Sequence, residues 1–123
     1  MVFIIINMGI IYGLEKYVRK INEICIHCSY SEWGDAGIIK KWHTTKSKTD
    51  SSKPWSDIGY HFVVENGYPK YHNYKETNRI NYLDGMAELG RPLRRRGAHC
   101  HVINKTSIGN MYDWSLLVYR CAI

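Results

Sequence analysis

A run of β-favouring residues from Ile21 to Ile26 leads into His27 and is stopped soon after by Ser29, Ser31 and Gly34. It is too short for a helix and reads as a buried strand whose end delivers side chains to a cleft. Alternation along the strand puts Cys25 and His27 on one face and Ile24 and Ile26 on the other. A histidine in that position is a metal ligand, an acid or base, or a buried imidazole hydrogen-bonded for packing. The run alone leaves all three open.

Downstream, Asp35 to His43 reads as an amphipathic helix, with Ile38, Ile39 and Trp42 in one stripe and Asp35 at its positive end. His43 is expected to be a surface or structural residue. Thr44 to Asp57 has the Ser, Thr, Lys and Pro content of a loop, anchored by Trp55. Ile58 to Val64 is a second strand with Tyr60 and Phe62 on one face and His61 opposed, closed by the Glu65-Asn66-Gly67 turn signal. Tyr68 to Gly85 is polar and tyrosine-rich without a period, as in a long excursion within a hairpin. Met86 to Gly90 is then the returning strand. Ser107-Ile108-Gly109 opens another core strand, which Asn110 and Asp113 are expected to interrupt before Leu116 to Tyr119.

With 123 residues the chain suffices for one compact domain. A hydrophobic share of 45% against 23% charged residues excludes an intrinsically disordered chain. The net charge of +6 favours an anionic partner, whether nucleic acid, an anionic membrane or an acidic wall polymer. Arg94, Arg95 and Arg96 form a basic run suited to an acidic ligand if it lies beside a cleft. No stacking motif and no arginine-bearing recognition helix accompanies it, which argues against nucleic acid. Cys25 and Cys28 form a C-x-x-C that Cys100-His101 would complete as a structural zinc site. Their opposite strand faces favour buried thiols in a reducing compartment instead. Val2 to Leu14 is apolar but too short to span a bilayer, and its basic residues follow rather than precede it, unlike a signal peptide. It reads as an extension: an extra strand, a weakly membrane-associating segment, or residues upstream of the natural start.

Seven motifs stand in one order: Ile26-His27-Cys28-Ser29, Ile39-Lys40-Lys41-Trp42-His43, Ile58-Gly59-Tyr60-His61-Phe62, Gly90-Arg91-Pro92, Gly97-Ala98-His99-Cys100, Asn104, and Ser107-Ile108-Gly109. Together they resemble the zinc-dependent N-acetylmuramoyl-L-alanine amidases of the phage-lysozyme and peptidoglycan-recognition-protein type, over roughly residues 20–109. The resemblance implies an α/β fold, a mixed, partly parallel β-sheet flanked by helices, with a cleft holding one zinc ion. It implies His27 as first zinc ligand, Tyr60 as the tyrosine that assists the reaction, and His99 as a histidine beside the substrate groove. The implied reaction is hydrolysis of the amide between N-acetylmuramic acid and L-alanine of bacterial peptidoglycan, whose carboxylates would suit Arg94 to Arg96.

This sequence departs from the family's pattern in two places. The family's other two zinc ligands follow the Ser-Ile-Gly strand, and Val102-Ile103 replaces the Gly-His common before Asn104. The expected organisation is therefore an apolar extension (1–19), an amidase-like domain (20–109) and a divergent tail (110–123), with the family's C-terminal part missing. Cys100, His101, Asp113 and Cys121 are the candidates for replacement ligands. Loss of the last helix would bare an apolar sheet face. The expected protein is a monomer without stable membrane insertion, endolysin-like and of phage or prophage type, made in the cytoplasm and acting on the cell wall. A non-catalytic peptidoglycan-binding module is the alternative.

Overall fold

The strand begun by Ser107 does not break at Asn110. It runs without interruption from Ser107 to Tyr112 (β4) and pairs on both sides, which makes it the centre of the sheet. Asn110 keeps its place in the ladder opposite Ile26 and Phe62, its half-buried side chain sharing a face with the buried Ile108. The computed structural model describes residues 19–46 and 53–113. Most of the expected extension, and the tail from residue 114 with Cys121, lie outside them.

Two more strands flank β4 in parallel, β1 (Glu23–Cys28) with Glu23 opposite Ser107, and β2 (Phe62–Val64) with Phe62 opposite Asn110. The fourth strand, β3 (Ala87–Leu89), pairs antiparallel with β2, giving the order β1-β4-β2-β3. The described residues thus form a mixed α/β architecture with a four-stranded mixed sheet and few helices. Helix α1 (Ala36–Thr44) starts where expected. The Asp35 carboxylate accepts from the Ile38 backbone N–H at 2.7 Å, a side-chain N-cap. The excursion between β2 and β3 turns at Gly67, whose φ of 89° suits glycine, and contains the short helix α2 (Tyr71–Lys75) and a 3₁₀ turn at Asn81–Leu83.

Two boundaries differ from expectation. β1 lies two residues later than the apolar run, so His27 sits inside the strand rather than beyond its end. The second strand starts only at Phe62, because Ile58 to His61 is spent on other contacts. Gly59 accepts from Ala98 N–H, Tyr60 from Arg91 N–H, and His61 N–H donates to Gly109. Freed from strict alternation, Tyr60 packs with the Ile39, Ile58, Val63 and Met111 core instead of sharing a face with Phe62. The predicted stripe on α1 is also narrower than expected. Ile39 is buried, whereas Trp42 is partly exposed and packs edge-on against Trp33 with ring centres 5.2 Å apart.

The covered face of the sheet is layered. Glu88, Val63, Met111 and His27 lie in register across β3, β2, β4 and β1. Two residues towards the strand starts come His61, Gly109 and Cys25; two residues towards their ends come Glu65 and Asp113. Val63 and Met111 at the centre of the face thus lie between a side carrying Cys25, His27 and His61 and a carboxyl layer of Glu65, Glu88 and Asp113. The opposite face carries Ile26 and Leu89, both exposed.

Candidate metal centre

Cys25 and His27 are on one strand face two residues apart, and parallel pairing sets them beside Gly109 and Met111. Gly109 offers no side chain, and the His99 ring fills the space: a Cβ there would lie 2.3 Å from His99 Cδ2. The loop that carries His99 is held by Asn104, whose Oδ1 accepts the backbone N–H of His99 at 3.0 Å and of Cys100 at 2.9 Å. As a result one donor atom each from Cys25, His27 and His99 lies within 4.8 Å of the others. This is the single such group of three among the described residues.

The ring of His99 has a defined tautomer. Ser107 Oγ donates to Ile103 O at 2.7 Å, so it accepts from His99 Nε2–H at 3.2 Å. That leaves the Nδ1 lone pair directed at His27 Nε2, 2.9 Å away. Burial lowers the pKa of His27. Burial, then the positive potentials of His27, His61, Arg19 and Arg91, pushes His99 down to about 3. Both imidazoles are therefore held neutral, the form that ligates metals. Tetrahedral zinc with bonds of about 2.0 to 2.3 Å places its ligand atoms roughly 3.3 to 3.6 Å apart. The two ring nitrogens, 2.9 Å apart, need open only slightly to reach that spacing, and no donor of the group is more than 4.8 Å from another. A Cys-His-His set also leaves the fourth position that catalytic zinc keeps for water. These residues fit zinc.

Ser107 then acts from outside the ligand set by orienting a ligand. Ser107→Ala should weaken zinc binding by about 10- to 100-fold in competition with a chelating dye. Unchanged affinity would mean that the ring is oriented by other contacts.

Tyr60 stands over the group, its ring centre 5.2 Å from that of His27 and 6.3 Å from that of His99. His43 supports it from behind. Its ring lies 5.5 Å from Tyr60 and 4.7 Å from Trp55, and its Nδ1 accepts from Gly59 N–H at 3.1 Å, a structural role as expected. His61 is fully buried and its Nδ1 accepts from Gly109 N–H at 3.0 Å, so its Nε2–H donates to Arg95 O at 2.8 Å. That pins the same stretch of β4 from the other side.

Of the residues read from the sequence, His27, Tyr60 and His99 converge here. Arg94, Arg95 and Arg96 do not. Arg95 and Arg96 line a separate basin and Arg94 is exposed outside both. Cys28, Cys100, His101 and Asp113 do not join the donor group either. Cys28 is on the opposite strand face, His101 lines the basin, and Asp113 belongs to the carboxyl layer. The two donors beyond His27 that sequence reasoning did not assign are Cys25, visible through strand alternation, and His99, whose approach depends on a distant glycine. No helix among the described residues is long and apolar enough to cross a membrane. No protein-family model and no curated protein matches the chain.

Proposed function

We propose that the chain is a zinc-dependent amidase of bacterial peptidoglycan, cleaving between N-acetylmuramic acid and L-alanine, with zinc held by Cys25, His27 and His99. The observation that carries this reading is the convergence of three neutral or soft donors beside a tyrosine, of which His27, His99 and Tyr60 lie in the motifs that resemble those of the amidases and Cys25 lies just ahead of the first. When bound, zinc would acidify a water and polarise the scissile carbonyl. The residues supply the rest. His27 and His99 bring unprotonated nitrogens, Ser107 keeps His99 in the ligating tautomer, and the Tyr60 phenol is placed to donate to an oxyanion without a change of its own charge near pH 7. Arg95 and Arg96, in the basin beside the site, favour an acidic wall polymer.

Zinc content and wall hydrolysis test the reading together. Near one zinc per folded chain, absent in His27→Ala, with release of stem peptides from purified wall, is the expected result. Folded protein that takes up no zinc and releases nothing overturns it. One contact favours a second reading, a wall-binding module without metal: the direct His27 to His99 hydrogen bond already satisfies both rings. Co-sedimentation with peptidoglycan that survives a chelator, without peptide release in zinc, would select that module.

A further inference from the structure

Beside the metal centre lies an open basin of about 1080 Å³ that includes none of the donors and not Tyr60. Its walls carry Trp55, Arg91, Arg95, Arg96, His101 and Lys105, and no carboxylate. The nearest counter-charge, Asp57, is shared, accepting from Arg95 Nη1 at 3.0 Å and pairing with Lys40 at 3.2 Å. Arg91 is buried, with Nε and Nη1 donating to the carbonyls of Ile58 and Arg96, so its guanidinium stiffens the basin floor. Its pKa is lowered by burial and then by the neighbouring charge of Arg95, which shows how closely the cations crowd. Arg96 and Lys105 are exposed, and among the described residues neither has an acidic partner.

We infer that this basin binds a phosphodiester-linked glycan or polyol chain. One carboxylate would be matched by one guanidinium fork, whereas several cations spread over a concavity this large match a repeating anion. Trp55, about half exposed at 47%, offers an apolar face to the C–H surface of a sugar or polyol unit. Single-stranded nucleic acid calls for successive aromatic platforms along a groove, and this wall has one. The choice of a wall polymer rests on the peptidoglycan reading above, while the charge and shape of the basin do not.

The test is titration of the full chain, in chelator, with purified poly(glycerol phosphate), neutral dextran, inorganic phosphate and a single-stranded oligonucleotide. Expected are binding of the polyol phosphate that weakens steeply with salt, none of dextran, and at least tenfold weaker binding by the Arg96→Gln/Lys105→Gln double variant. Zinc content and urea midpoint of that variant should be unchanged. Equal binding by the double variant, equal competition by free phosphate, or tighter binding of the oligonucleotide would each overturn the inference. Because the titration is made without zinc, its failure is separate from failure of the amidase reading, which is scored by zinc content and peptide release.

Discussion

Gly109→Ala is expected to remove zinc binding entirely and to destabilise the fold by about 1–3 kcal/mol, the usual cost of overpacking a tight interior. A Cβ at this position would meet three atoms of the His99 ring at 2.3 to 2.7 Å, and the ring is boxed in on its other side, where a Cβ on Gly97 would also lie 2.3 Å from it. The imidazole must leave, and with it the third donor. Zinc per chain by elemental analysis and the urea midpoint in chelator give the two readouts. The double variant Gly109→Ala/His99→Ala separates them: stability should recover relative to the single variant, because the clash is gone, while zinc stays absent. If Gly109→Ala alone keeps one zinc per chain, His99 is not a ligand.

The carboxyl layer at the other end of the sheet face predicts an alkaline loss of stability. Glu65 is 3% exposed, one of its oxygens has no hydrogen-bond partner, and the carboxylates of Glu88, Asp113 and Asp35 face it from β3, β4 and the start of α1. The Glu88 carboxylate accepts from the Ala36 backbone N–H at 2.6 Å, and Asp35 pairs with Lys70 at 2.5 Å. Burial first, then Glu88, pushes Glu65 up to about 8. Asp113, fully buried, rises to about 7, mainly by burial and then through Asp35 and Glu88, with Ser29 acting against them.

A raised carboxyl pKa means that the folded state holds a proton the unfolded chain has lost. Stability is therefore full below the ordinary carboxyl range and falls as pH rises to the folded value. The buried histidines act oppositely, since lowered pKa values cost stability below their ordinary value of 6.5. The two effects separate above about pH 7.5, where the histidines are neutral in both states. From there to about pH 9 the protein should lose about 1 kcal/mol and then level off, the slope never exceeding about 1.4 kcal/mol per pH unit for each titrating group. Urea midpoints in chelator across this range measure it. Glu65→Gln should flatten the decline; an equally steep profile in that variant would place the titration elsewhere.

The difference between what was legible and what was not follows the range of each interaction. Asp35 ahead of Ile38 and Ile39 foretold a helix start because a cap acts across three residues. The Asn66-Gly67 turn and the hairpin around the excursion were legible for the same reason. β4 was misread at Asn110 because polarity along one strand cannot reveal that partners lie on both sides; it does stop before Asp113, but nothing local showed that this carboxyl would be buried against other carboxyls. At the centre, His27 was visible as a histidine on an apolar strand, and Cys25 shared its face. His99 carried no local sign of ligation. Its place depends on the missing side chain of Gly109 and the hydroxyl of Ser107, ten and eight residues further along.

The central position of β4 sets an order of events during synthesis. Glu23, at the start of β1, bonds through its side chain to Thr106, 83 residues later, and among the described strands β1 pairs with β4 alone. When the ribosome has made β1, α1, β2 and β3, the first of these has no partner among the described strands and the β2–β3 hairpin presents an open edge. Only after Tyr112 clears the exit tunnel can one strand zip both together. Until then two edges await the same late segment, so the described part of the nascent chain is most exposed to wrong pairing and to chaperones just before this shared strand appears.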